Sequence, residues 1–98
     1  MASDKDTPRV EHHPERQRFE ILIGDEVAGF AEYRQSSPTV RDFDHTVTDP
    51  KFRGQGLAAI LVGHALDDTR AAGSTVVASC SYVHHFIATH EQYADLVT

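Results

Sequence analysis

Arg53-Gly54-Gln55-Gly56 is the segment of this chain whose residue types and spacing bear most directly on chemistry. Two glycines one residue apart let the backbone bend tightly and turn several N–H groups toward one point. The periodicity after them is helical, so the loop opens onto a helix N-terminus and roughly half a positive charge. Phosphate or pyrophosphate is the natural occupant of such a place. A tight turn that needs glycine for its conformation alone explains the spacing equally well. The triphosphatase loop pattern G-x-x-x-x-G-K-[ST] is absent. Gly54-Gln55-Gly56-Leu57-Ala58-Ala59 does satisfy the dinucleotide pattern G-x-G-x-x-G/A. The strands before it look antiparallel, however, and no ribose-binding carboxylate follows, so a Rossmann unit is not expected.

Few other side chains invite a chemical role. His45 shares a period-2 face with Phe43 and Val47, an odd place for an imidazole, the side chain that exchanges protons near neutrality. It could deprotonate an amine or a thiol; a hydrogen-bonded core histidine accounts for its face more simply. Cys80 stands alone, which excludes an internal disulfide and a cysteine zinc site. A lone cysteine on an alternating strand is ordinarily a small buried hydrophobe. The pair His12-His13 reads as solvated, and His84, His85 and His90 point in different directions on a short helix, so no metal is expected.

The elements that must position these residues follow from period and punctuation. Residues 1–15 are polar, with Pro8 and Pro14, and are expected to be a loose leader; residues 16–98 form one domain. Phe19, Ile21 and Ile23 alternate up to a Gly24-Asp25 turn, and a second strand runs from Val27 to Gln35. After Ser36-Ser37-Pro38, a third strand covers about Thr39 to Thr48, with Phe43, His45 and Val47 on one face. Asp49-Pro50 stops it. Leu57, Leu61 and Ala65, flanked by Ala58, Val62, Leu66 and Thr69, make a helical stripe that Gly73 ends as a left-handed cap. Ser74 to Tyr82 is expected as a fourth, interior strand, with Val76 and Val77 buried on opposite faces. Val83, Phe86, Ile87 and His90 give a second helix, and Tyr93 and Leu96 pack the tail on the core. The expected fold is α/β, more exactly α+β: a mostly antiparallel sheet of about four strands with two helices, in the order βββαβα.

Composition narrows the function classes. At 98 residues, 40% hydrophobic and 24% charged, one compact domain is allowed and no second one. A net charge of −6 with nine scattered basic residues argues against nucleic acid as a partner. No run reaches the roughly 20 apolar residues of a membrane span, and no signal peptide is evident, so the cytoplasm is the expected compartment.

Arg53-Gly54-Gln55-Gly56-Leu57-Ala58 resembles the Q/R-x-x-G-x-G/A signature of the GCN5-related N-acetyltransferases. Cys80-Ser81-Tyr82-Val83 and His90 to Val97 resemble the very small single-domain branch of that family, so the similarity spans nearly all of residues 17–98. The resemblance implies that the loop amides hold the pyrophosphate of acetyl-CoA, with Arg53, Gly54, Gln55, Gly56, Leu57 and Ala58 as the cofactor segment. It implies that Val47 and Thr48 offer backbone to the pantetheine amides. It places Cys80 beside the pantetheine, as a covalent acetyl carrier or an acid, with the buried hydrophobe as the competing account. Tyr82 resembles the tyrosine that protonates the departing thiolate, although aromatic packing at a strand end explains it as well. His45 is the candidate base. The usual members are larger, and the elements missing here shape the acceptor site. Acetyl transfer to an amine, small or on a protein, by a monomer or homodimer is therefore expected, and a non-enzymatic acyl-CoA-binding or partner-binding module is the rival.

Overall fold

A computed structural model describes residues 7–98. Its elements are β1 (Arg9–His13), β2 (Arg18–Ile23), β3 (Glu26–Ser37), β4 (Val40–Thr48), α1 (Leu57–Ala71), β5 (Thr75–Ala78) and α2 (Ser81–Thr89), with short 3-10 turns at Pro14–Arg16, Pro50–Phe52 and Glu91–Leu96. The strands form one five-stranded sheet in the order β1-β2-β3-β4-β5. The first four are antiparallel, and β5 joins β4 in parallel after the α1 crossover. The α+β class, the mostly antiparallel sheet and the two helices are as the periodicity predicts.

The expected leader is corrected over the described residues. Arg9–His13 is not loose chain but an edge strand paired with β2, from Arg9 opposite Leu22 to His13 opposite Arg18. Residues 1–6 lie outside the described residues. β1 escapes a hydrophobicity reading because its inward residues are Val10 and His12. His12 does an apolar residue's packing: its ring stacks on Phe19 at 4.0 Å between centroids. Its Nε2 lies 2.7 Å from the Tyr33 hydroxyl, and its Nδ1 lies 3.4 Å from Asp68 on α1.

Burial pulls the His12 imidazole below its ordinary 6.5; the Asp68 carboxylate opposes the shift, and Arg41 and His13 add to it. The folded state therefore favours neutral His12, and the unfolded chain takes up the proton first. The resulting stability is complete above the unfolded value of 6.5 and is lost as pH falls through the lower folded value. Urea unfolding between about pH 7 and 5 is expected to show stability falling toward acid, with a shallower fall in His12→Gln. Identical slopes would remove His12 from the acid response.

One face of the sheet carries the core. Phe19, Ile21, Ala31, Tyr33, Phe43 and Val76 meet Leu61, Val62, Ala65 and Leu66 of α1, and each of these is 5% exposed or less. Arg41 enters this layer and donates to Asp68 at 2.9 Å and to Thr69 at 3.1 Å, so its charge is paired. Val83, Phe86 and Ile87 of α2, with Tyr93 and Leu96, close the other end, as expected. Gly73 ends α1 at φ 73°. No helix among the described residues is long and apolar enough to cross a membrane.

Two strand expectations change, with consequences for the site. In β4, Glu32 pairs with His45 but Tyr33 pairs with Phe43, so Asp44 is an extra residue, a β-bulge. A one-residue slip exchanges the two faces of a strand. Phe43 faces the core, while beyond the bulge the inward residues are Thr46 and Thr48, and His45 and Val47 face outward. The fourth strand of the sequence reading, β5, ends at Ala78 rather than Tyr82, because the chain turns into α2 at Cys80. It is also a terminal strand of the sheet order, not an interior one.

Candidate active site

Between β4 and α1 the chain is built almost wholly from local backbone rules. Asp49 accepts from the Lys51 amide at 2.9 Å and its own amide donates to the Ala28 carbonyl at 2.8 Å, which fixes the strand exit. Pro50–Phe52 turns once and buries Phe52. Gly54 and Gly56 then take φ values of 85° and 70°, a region that non-glycine residues avoid. Gly56 is the N-cap of α1 and no side chain caps the helix. The amides of the first turn therefore face the loop, and no acidic residue of that turn competes with an anion.

A cavity of about 290 Å³ opens here. The loop and first helical turn line one wall with Arg53, Gly54, Gly56, Leu57, Ala58 and Ala59, and Phe52 closes its base. Thr46 and Thr48 of β4 form another wall, and Tyr82 of α2 reaches it from the far side. The sheet makes room for it. β5 pairs with β4 only over Val40–Phe43, and the Cys80 amide donates to the Phe43 carbonyl at 2.8 Å. Beyond that point β5 no longer follows β4, so the β4 edge turned away from β3 is left without a strand along residues 44–48.

The residues expected at the site divide accordingly. Thr48, Arg53, Gly54, Gly56, Leu57, Ala58 and Tyr82 converge on the cavity. Gln55 is exposed at the loop tip and does not line it. The side chain of Val47 lies across the sheet, beside Val27 and Phe30. His45 is on that same outer face, with its ring 5.9 Å from that of Phe30, and the sheet separates it from the cavity and from Cys80. The Asp44 bulge is the cause, and it removes the basis for His45 as the base. Thr46, Phe52 and Ala59 are lining residues the sequence reading missed. Ala59 and Phe52 simply flank the glycine loop, whereas Thr46 needed the bulge to be seen.

Cys80 is the N-cap residue of α2, partly buried, and its thiol donates to the Thr46 hydroxyl at 3.4 Å. Tyr82 sits on α2 rather than on a strand with Cys80. Its ring lies 6.4 Å from Phe86, and desolvation raises its hydroxyl above the usual 10, which keeps the phenol protonated at neutral pH. Arg53 is exposed and forms no ion pair among the described residues. The cavity thus presents backbone donors, two threonine hydroxyls and a protonated phenol; Cys80 does not line it and meets it only through its hydrogen bond to Thr46.

A β4–β5 pair that parts beside a glycine loop opening α1 is what gives this α+β fold its cavity. A family model described as GCN5-related N-acetyl-transferase matches residues 18–96, and the chain belongs to that family. Two solved structures are among those that share its fold. One is a GCN5-like protein from Staphylococcus aureus, solved by NMR (22% identity, TM-score 0.71, covering 92% of this chain and 87% of that one). The other is Ard1 from Thermoplasma volcanium (16% identity, TM-score 0.59, covering 76% of this chain and 54% of that one). No curated protein sequence matches the chain.

Proposed function

We propose that the protein binds acetyl-CoA at residues 53–58 and transfers its acetyl group to an amine, in the cytoplasm. The observation that carries this reading is one cavity walled together by the Gly54–Gly56 loop, the threonines of β4 and the phenol of Tyr82. Such a cavity presents N–H donors for a pyrophosphate and a proton donor for a thiolate. Its volume suits the pyrophosphate and the adjoining pantetheine rather than the whole cofactor. The strandless β4 edge at residues 44–48 offers main-chain partners to the pantetheine amides through Thr46 and Thr48. Val47, expected to share this role, turns its amide and carbonyl to Phe30 of β3, because the Asp49 amide donates to Ala28 and the ladder alternates. With the net charge at −6, the anion seat is made by local geometry rather than by an excess of basic residues.

In the transfer, the amine nitrogen attacks the thioester carbonyl, the C–N bond forms, and the C–S bond breaks. The departing CoA thiolate takes a proton, and Tyr82 is the donor that lines the cavity. The amine loses its own proton to solvent, since His45 lies across the sheet. Cys80 offers a second route, in which its thiolate accepts the acetyl group before the amine does; its sulfur is held 3.4 Å from the Thr46 hydroxyl.

Incubation with acetyl-CoA and an amine panel tests the reading by thermal shift, free-thiol release and intact mass. Stabilisation by acetyl-CoA is expected, with thiol release that slows about a hundredfold or more in Tyr82→Phe, the range for a general acid. Full turnover in Cys80→Ala fits direct transfer, whereas an acetyl adduct on Cys80 assigns the covalent route. Stabilisation without thiol release from any amine would leave a non-enzymatic acyl-CoA-binding module, and no stabilisation would overturn the cofactor assignment.

A further inference from the structure

The outer sheet face, away from the cavity, carries a cluster that acetyl transfer does not use. Glu11 and His13 are two residues apart on β1 and so share a face, and Glu20 of β2 is the register partner of Glu11. His13 Nε2 lies 3.3 Å from Glu11 Oε1 and 3.3 Å from Glu20 Oε1. The three ligand atoms all fall within 4.8 Å of one another. Tetrahedral zinc with bonds of about 2.1 Å separates its ligand atoms by about 3.4 Å, so both nitrogen–oxygen edges already have the required length.

The surroundings favour a cation over a simple hydrogen bond. His13 Nε2 is buried and has no hydrogen-bond partner: both oxygens are close, yet neither lies where an N–H would point. The two carboxylates turn their other oxygens to arginines, Glu11 Oε2 to Arg9 at 3.3 Å and Glu20 Oε2 to Arg18 at 3.3 Å. Those contacts orient both glutamates and leave each Oε1 for the shared point. Glu15 Oε2 lies 3.8 Å from His13 Nδ1, on the side where a carboxylate favours the proton and frees Nε2 as a ligand. Glu20 is 8% exposed in its side chain while Glu11 and His13 are partly open, so water can complete the coordination.

We propose that Glu11, His13 and Glu20 bind one divalent transition ion of the zinc class, which clamps edge strand β1 to β2. The imidazole selects against magnesium and calcium, which take oxygen ligands. Because the site lies on the other face of the sheet, the proposal is independent of cofactor binding and of turnover.

Titration of the metal-free full chain with zinc chloride, by calorimetry and thermal unfolding, is the test. One zinc per chain is expected, with a rise in Tm of about 5 °C or more at saturating metal, the size a ligand specific to the folded state gives a domain this small. Magnesium is expected to give no shift. His13→Gln and Glu11→Gln, the latter at a partly exposed residue, are expected to lose the zinc response while circular dichroism shows them folded. His84→Gln should keep it. Absence of zinc binding near micromolar concentration, or binding unchanged in the folded His13→Gln or Glu11→Gln proteins, would overturn the proposal.

Discussion

Gly56→Glu is expected to weaken CoA binding at least about a hundredfold, close to 2.7 kcal/mol, while leaving the fold in place. No atom lies within 4 Å of a Cβ built at Gly56, so the new side chain meets open space rather than a clash. The backbone there holds φ 70°, which costs an L-residue about 1–2 kcal/mol. Part of that cost returns, because a carboxylate at the start of α1 interacts well with the helix dipole. The same carboxylate takes the place where the pyrophosphate would sit and repels it. Gly56→Ala separates the two effects, since it carries the strain without the charge and should lose much less affinity. Calorimetric titration with CoA reads both; wild-type affinity in Gly56→Glu would put the phosphate seat elsewhere.

Phe43→Ala is expected to be the most destabilising single change, at about 3–5 kcal/mol, with a fall in Tm of roughly 15–30 °C. Phe43 is 1% exposed, and its ring lies 5.4 Å from Tyr33 and 6.2 Å from Phe19. Its position magnifies the loss. It is the last β4 residue paired with β5, and its carbonyl takes the Cys80 amide. Removing the ring leaves a cavity where the two strands part, so the gap loses its anchor along with the core contact. Differential scanning calorimetry checks this, and a loss below about 1 kcal/mol would mean that the neighbours collapse into the space.

What was legible in the sequence had a local cause. Gly54 and Gly56 announce the loop because only glycine takes those dihedrals cheaply, and the stripe from Leu57 to Thr69 announces α1 because burial on one helical face has its own period. The hairpin around Gly24 and the packing of Tyr93 and Leu96 were visible for similar reasons. The rest depends on partners distant in sequence. β1 is a strand because β2 offers it an edge and because Phe19 and Tyr33 accept an imidazole in place of an aliphatic side chain. The end of β5 could not be read either: alternation continues through Ser79 and Tyr82, but the chain has already begun α2 at Ser81. The faces beyond Asp44 were misjudged because a bulge leaves hydrophobic alternation intact and changes only which side it addresses.

That bulge makes β4 a strand with two owners. Before Asp44 its inward residues, Arg41 and Phe43, answer to the core and can change little. After it they answer to the cavity, and the interior they present is two threonines. Parity, not composition, decides which side chains the reacting groups meet. A one-residue slip of β4 against β3 that absorbed the bulge, with Asp44 opposite Glu32, would exchange Thr46 and Thr48 for His45 and Val47 along that wall, with every side chain kept. A chain this small has little surface for refashioning its pocket piece by piece, and a slip of one register position offers it a second lining already written in the sequence.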